Sequence, residues 1–286
     1  MNSETIVELR DLLFAGEDIV RTDWGVSHDS ETSAITLSRG TAAASALDRI
    51  AQVGVAVVER ADIAGLDLVI DTLLRLYVDA EVTGAETGQR TVDASTLARR
   101  RRDVVVRVYV LGALAVYQKA FQLVRPLVLQ RADSRIPQRF WLREAVTSLA
   151  RSAQFENKTL IPIVADFAAG HSVFFQRFRK MQDSLVDALC QFDFLQCLIV
   201  TTETNNIFEC YPNFGAYFNE RTEPIVVSIV EDGPARQVVA GVEDARLGQV
   251  IRELDRLAGE QFFSFAGWDS NAWRSAAIRR FLSNAS

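Results

Sequence analysis

The carboxylates best placed for acid–base chemistry lie in one short polar stretch of the chain. Glu220 and Glu223 are three residues apart, and His171 could assist them. Two carboxylates can act as general acid and general base when a pocket separates their pKa values, so a small hydrolase or nuclease is one candidate function. The structural alternative is helix capping, because Thr222-Glu223-Pro224 has the composition of a helix N-terminus, with Thr222 as N-cap. The candidates of this polar turn are Asn219, Glu220, Arg221 and Glu223.

The histidines and cysteines offer few arrangements for nucleophilic or metal chemistry. His28 and His171 are the 2 histidines, and neither lies in a nucleophile motif, so a triad with a serine or cysteine is a minor alternative. The 3 cysteines, Cys190, Cys197 and Cys210, lack C-x-x-C spacing and a nearby histidine. We expect buried core thiols, and we expect neither a metal nor a cofactor.

One basic cluster, Arg99-Arg100-Arg101-Arg102 followed by Arg107, could bind an anion, a nucleic acid or an acidic partner. Four successive arginines span more than one helical turn, so at least one must turn toward the apolar face of its helix. A solvated helix start or an ion-pair network is the structural alternative.

Two tryptophans near the C-terminus, Trp268 and Trp273, are the aromatic candidates for a protein interface. The alternative for both is an aromatic plug that closes the C-terminal part of the core.

The composition indicates a globular chain. The 286 residues are 49% hydrophobic and 24% charged, the formal net charge is -6, and the mean hydropathy of +0.07 is high for a soluble protein. The excess apolar surface must be buried within the fold or against a partner. An acidic balance does not favour nucleic acid as the partner.

The start of the chain and its cysteine usage bear on the compartment. Residues Met1–Leu13 lack a basic start followed by an apolar run, and we find no uninterrupted apolar span of about 18 residues. Three unevenly spaced cysteines suit a reducing compartment. We therefore expect a cytoplasmic protein without a secretory signal or a membrane span.

The elements that must position these residues are helices. Apolar residues recur at three- and four-residue steps through Thr41–Val78, which predicts a helical hairpin with Asp62 as the second N-cap, and again from Asp93 into a second hairpin. Leu111-Gly112 with Tyr117 is similar to the small-residue crossing points of tetratricopeptide helices, although no 34-residue period repeats. The pattern predicts an all-α, irregular antiparallel array of about ten helices.

The segment Asp183–Val200 contains β-branched residues that could form a strand, but Leu185, Leu189, Phe192 and Leu195 recur at helical steps. We predict a buried helix there and a second one from Pro224. An α+β fold with a short strand pair near residues 195–230 is the alternative. The domain prediction is an N-terminal helix and arm over 1–40, a hairpin array over 41–180 and a C-terminal helical subdomain over 181–286.

Three strings resemble a helical accessory region of bacterial defence-type proteins: Asp187–Asp193, Tyr211–Phe218 together with Arg221–Val226, and Phe265–Asp269. In that family the region lies behind an effector or nucleotide-binding module of the Schlafen or AlbA-like class. The resemblance covers roughly residues 41–283. It implies a sensing or partner-binding role, and it carries over no catalytic residue because residues 1–40 are too few for a nuclease or ATP-binding domain.

The function that these expectations favour is a non-catalytic adaptor or sensor subunit that binds a separately encoded effector protein, in bacterial antiphage defence as the resemblance implies. The sequence leaves open whether the protein also forms a homo-oligomer. A nucleic-acid-binding helical module that uses Arg99–Arg102 is the first alternative, and the small hydrolase or nuclease is the second.

Overall fold

The computed structural model describes residues 50–82, 94–130, 140, 142, 145, 182–204, 218–262 and 273–285; within them, side chains are described except at 75–82, 94–103, 182–183, 218–220 and 258–262. The described part is helical throughout its regular elements, with no β-strand. The predicted all-α class is confirmed.

The first two described helices form the predicted hairpin. α1 covers Ile50–Glu59 and α2 covers Ile63–Val82. Asp62 is the N-cap of α2, as predicted, because its Oδ1 accepts a hydrogen bond from the Gly65 N–H at 3.0 Å. The apolar stripe Leu66, Val69, Ile70 and Leu73 is buried.

The long helix α3 covers Ala94–Tyr117 and packs against α2. Every residue from 104 to 116 is buried, so this half of α3 has no face exposed to solvent. Gly112 allows the close approach of a neighbouring helix, because a Cβ there would lie 2.3 Å from the Phe192 ring. A short 3-10 helix, Phe121–Leu123, and α4, Val124–Leu129, follow.

The central element is α5, Gln182–Thr204, which contacts α3 and α4. It also contacts the two later helices at Phe218–Val230 and Asp244–Phe262. The strand alternative for this segment is wrong, since it is one continuous helix. By length and composition, Ser184–Thr204 could cross a membrane, and 78% of its most apolar window is buried inside the structure. A fully packed core helix meets the same criteria, and the described helices around α5 provide that packing.

Three helices complete the described chain. α6 covers Phe218–Val230, α7 covers Asp244–Phe262 and α8 covers Ala276–Asn284. A second 3-10 helix, Pro234–Val239, joins α6 to α7. One continuous cluster of buried apolar residues extends from Ile50 to Ile278, so the core includes residues on both sides of position 181.

Charged side chains from two other helices bind the two ends of α8. The Ser275 N–H, at the N-terminal end, donates to the Glu223 carboxylate of α6. At the C-terminal end, Arg252 of α7 donates to the carbonyls of Leu282 at 2.6 Å and Ala285 at 3.1 Å. A carboxylate at the N-terminus and a guanidinium at the C-terminus both complement the helix dipole. α8 is therefore fixed to α6 and α7 electrostatically as well as by packing.

Three of the helices in the described ranges end with a residue other than glycine in the left-handed conformation: Ala61 after α1, Lys119 after α3 and Asp232 after α6, with φ of 54°, 58° and 53°. Each belongs to a Schellman motif; after α3, for example, the Ala120 N–H donates to the Ala115 carbonyl at 2.8 Å. Glycine is the usual residue at this position because it has no Cβ. The chain therefore carries local strain at three helix ends.

Candidate partner-binding cleft

A cleft of about 410 Å³ opens where four elements meet on one side of α5. The end of α3 and the first 3-10 helix form one wall, α6 and the start of the second 3-10 helix form the other, and α5 forms the floor. The walls contain a tyrosine and two prolines, and most of the remaining polar groups lie on the floor. The lining residues used below are Tyr117, Lys119, Asp187, Gln191, Pro224 and Pro234.

The floor is a face of the first half of α5 that reaches solvent. Ser184, Asp187, Ala188 and Gln191 recur at steps of three and four, which places them on one side of the helix. Ser184 is exposed and Asp187 and Gln191 are partly exposed, whereas all residues from 192 to 201 are buried. The start of α5 therefore offers a surface, residues 192–201 do not, and solvent exposure returns at Glu203 near the end of the helix.

The position of Pro224 shows that the helix start predicted at the polar turn is wrong. The sequence predicted a helix that starts at Thr222 with Pro224 in its first turn, but α6 already includes Phe218, and Pro224 lies inside it. A proline has no N–H to donate to the carbonyl four residues earlier. The neighbouring carbonyl, that of Arg221, accepts a hydrogen bond from Gln191 Nε2 at 2.9 Å. α5 thus supports α6 where its own hydrogen bonding is interrupted.

The polar-turn candidates are helical residues with separate structural roles. Arg221 forms an ion pair with Asp187 at the floor of the cleft. Glu223 binds the N-terminus of α8, so the predicted capping role applies to another helix and not to its own. Asn219 and Glu220 lie in the first described turn of α6, and their side chains are outside the described part.

The α3 wall supplies an exposed aromatic ring and a cation. Tyr117 is 51% exposed, and it and Ile63 are the large apolar side chains exposed in the described part of the chain. Lys119, two residues later, is also exposed, and no described residue forms an ion pair with its ammonium group. The sequence pattern assigned Tyr117 to a helix crossing point and did not single out Lys119.

The five arginines of the basic cluster all lie on α3. Arg99–Arg102 belong to α3, and their side chains lie outside the described part. Arg107 is 6% exposed and lies within the core, so it is not available to a ligand at the surface.

The remaining candidates are buried or outside the described residues. Trp273 is 3% exposed and packs in the core, and Trp268 lies outside. Cys190 and Cys197 are buried free thiols, whereas Cys210 lies outside, as do His28 and His171. Burial, with a further contribution from Asp193, raises the pKa of the Cys190 thiol to about 12, which opposes a nucleophilic role at neutral pH.

Histidine, cysteine and acidic side chains do not form a group of three or more suited to a metal ion within the described ranges. Comparison with protein-family models, with curated proteins and with solved structures finds no match.

Proposed function

We propose that this protein is a non-catalytic adaptor or sensor subunit of the cytoplasm that binds another protein through the cleft above α5. The partner in this proposal is a separately encoded effector, and bacterial antiphage defence is the context; both are suggested by the resemblance of the sequence strings. The proposal concerns binding, and it assigns no reaction to the chain.

The observation that carries the proposal is the exposed Tyr117 at the edge of a concave site. Tyrosine is enriched among residues that dominate binding energy, because its ring provides a large contact area at a small entropic cost. A cleft of about 410 Å³ lies in the range of natural binding sites, which combine apolar walls with a few polar groups. The walls and floor here have that composition.

The position of the cleft also suggests how binding is transmitted. A partner in the cleft contacts α3, α5 and α6 together, and α6 carries Glu223, which binds the N-terminus of α8. A partner that prefers one arrangement of α6 on α5 would favour that arrangement in the whole C-terminal part. In this proposal, the packing of α6 on α5 is the bistable surface that a sensor needs.

The test compares two exposed apolar side chains. Tagged wild-type protein, Tyr117→Ala and Ile63→Ala are used for capture from cells that naturally encode the chain, both resting and challenged with phage. Candidate partners are then purified and mixed with each protein, and mass photometry measures the complex. Ile63 is the matched control because it is 45% exposed and does not line the cleft.

We expect a stoichiometric complex with wild type and Ile63→Ala, and binding at least about tenfold weaker with Tyr117→Ala. Equal binding by all three proteins would contradict the cleft as the site. The absence of a stable complex under both conditions would contradict the adaptor function.

The two alternative functions predict different results. A nucleic-acid module that uses Arg99–Arg102 would bind DNA or RNA in a salt-sensitive way and lose binding on arginine-to-glutamate substitution. A hydrolase that uses Glu220 and Glu223 would lose turnover when either becomes glutamine. Since Glu223 binds the N-terminus of α8, its replacement is also expected to change stability, so turnover and unfolding must both be measured.

A further inference from the structure

The charges around the cleft are unevenly balanced. Asp187 is the carboxylate that lines it, and this carboxylate is paired with Arg221. Lys119 adds a cation that no described residue pairs with. Glu231 and Asp232, which follow α6, do not line the cleft, and Asp232 lies 3.7 Å from Arg236. Among the described residues, the cleft thus holds one carboxylate that is already paired and one cation that is not, although the chain has a net charge of -6.

The apolar part of the cleft lies beside this cation. Tyr117 is two residues from Lys119 on the same wall, and Pro224, Ile225 and Pro234 form the opposite wall. Proline rings and a tyrosine ring are stiff surfaces, so an apolar side chain that packs between them costs little ordering of the protein. The cleft is open to solvent, since Tyr117, Pro224 and Pro234 are exposed.

We propose that the cleft recognises a short acidic peptide segment of the partner protein, in which a carboxylate pairs with Lys119 and an adjacent apolar side chain packs between Tyr117 and Pro224. This inference rests on the proposed function and specifies the chemistry of the partner. An open cleft with an aromatic wall suits side chains presented by a peptide, and the Lys119 cation, which pairs with no described residue, selects the sign of their charge.

The experiment selects peptides and then reverses the charge. A display library of random short peptides is panned against wild-type protein, Lys119→Glu and Lys119→Gln. Arg280→Gln is the matched control, because Arg280 is an exposed cation on α8 outside the cleft. Circular dichroism verifies that all four proteins have the same helix content.

We expect wild type and Arg280→Gln to enrich peptides with aspartate or glutamate beside an apolar residue. Lys119→Glu should enrich lysine or arginine at the same place, and Lys119→Gln should lose the charge preference. A synthetic peptide from the wild-type selection should bind Lys119→Gln about two- to fivefold more weakly in fluorescence anisotropy, and the difference should decrease with salt.

Several results would overturn the inference. One is a selection without charge preference, and another is a preference that Lys119→Glu leaves unchanged. Competition by millimolar succinate or inorganic phosphate as effective as by the peptide would assign the cleft to small anions. If Tyr117→Ala loses the protein partner while Lys119→Glu keeps it, the charge rule fails and the adaptor function stands; if no partner binds at all, the adaptor function itself fails.

Discussion

Two parts of α5 differ in solvent exposure although they belong to one continuous helix. Residues 192–201 are buried on all sides, and this half contains Asp193, Gln196 and Thr201 as well as apolar residues. Residues 184–191 carry the floor of the cleft. The difference shows that burial is set by the neighbours of a helix, because both halves are rich in apolar residues.

The buried half is organised around a contact with α3. The Tyr109 and Phe192 rings meet edge to face with centroids 5.3 Å apart, and Gly112 leaves room for Phe192. The Tyr109 hydroxyl lies 2.8 Å from Asp193 Oδ1 and 2.6 Å from Gln196 Oε1. One hydroxyl has one proton, so it donates to one acceptor; rotation of the Gln196 amide would let Nε2 donate back to Tyr109. We call this set the α3–α5 contact.

The largest expected effect separates stability from recognition. Phe192→Ala removes a buried ring from the α3–α5 contact and should lower the free energy of unfolding by about 3–5 kcal/mol. Tyr117→Ala removes an exposed ring from the cleft and should lower it by less than about 1 kcal/mol. Urea titrations followed by circular dichroism measure both. Equal losses would show that the cleft wall is part of the core.

A smaller change tests the polar part of the same contact. Tyr109→Phe removes one hydroxyl and leaves buried groups of Asp193 and Gln196 without it, so we expect a loss of about 1–3 kcal/mol. Tyr117→Phe is the control, since its exposed hydroxyl is solvated, and it should change stability by less than about 0.5 kcal/mol. A neutral Tyr109→Phe would mean that the contact is stabilised by ring packing alone.

The pH dependence of stability tests the burial of Cys190, which lies near the end of the first half of α5. Its pKa is raised from the ordinary value of 9.0 to about 12, so between these pH values the folded protein keeps a proton that the unfolded chain loses. The contribution of this thiol to the free energy of unfolding is therefore fully present below pH 9 and is lost as the pH rises toward 12. Wild type should lose stability more steeply than Cys190→Ala over this range, by at most about 1.4 kcal/mol per pH unit. Parallel slopes would show that the thiol is solvated.

The smallest effect concerns the strained helix ends. Lys119→Gly and Ala61→Gly both place glycine at a left-handed position, and each should stabilise the protein by about 0.5–1 kcal/mol, because relief of about 1–2 kcal/mol of strain exceeds the roughly 0.5–1 kcal/mol entropic cost of glycine. Only Lys119→Gly should weaken binding of an acidic peptide, because Ala61 does not line the cleft. Thermal unfolding and fluorescence anisotropy separate the two readouts. A loss of binding in both variants would indicate an indirect effect on the cleft.

Helical periodicity was sufficient to predict the fold class and much of the core. The steps of Leu185, Leu189, Phe192 and Leu195 correctly identified α5 as a buried helix, and Asp62 correctly identified the start of α2. The start of α6 was predicted wrongly, because Pro224 normally marks a first turn. The hydrogen bond from Gln191 to the Arg221 carbonyl joins residues 30 positions apart, and local sequence rules do not contain it.

The cleft could not be predicted for a similar reason. Tyr117 and Lys119 follow the apolar face of α3, and only the packing of α5 and α6 decides that this end stays open. The exposure of Tyr117 depends on how the helices pack together. The spacing of apolar residues shows only which side of a helix faces its neighbours.

The contact between Tyr109 and Asp193 has a kinetic consequence, because it joins residues 84 positions apart in the chain. Helical proteins usually fold quickly because most of their contacts are local, and rates decrease as the average sequence separation of contacts increases. Here α5 meets α3 only after the ends of a long intervening segment come together, which costs chain entropy before packing repays it. Folding of this protein should therefore be slower than its helix content suggests, with α3 and α5 meeting in the rate-limiting step.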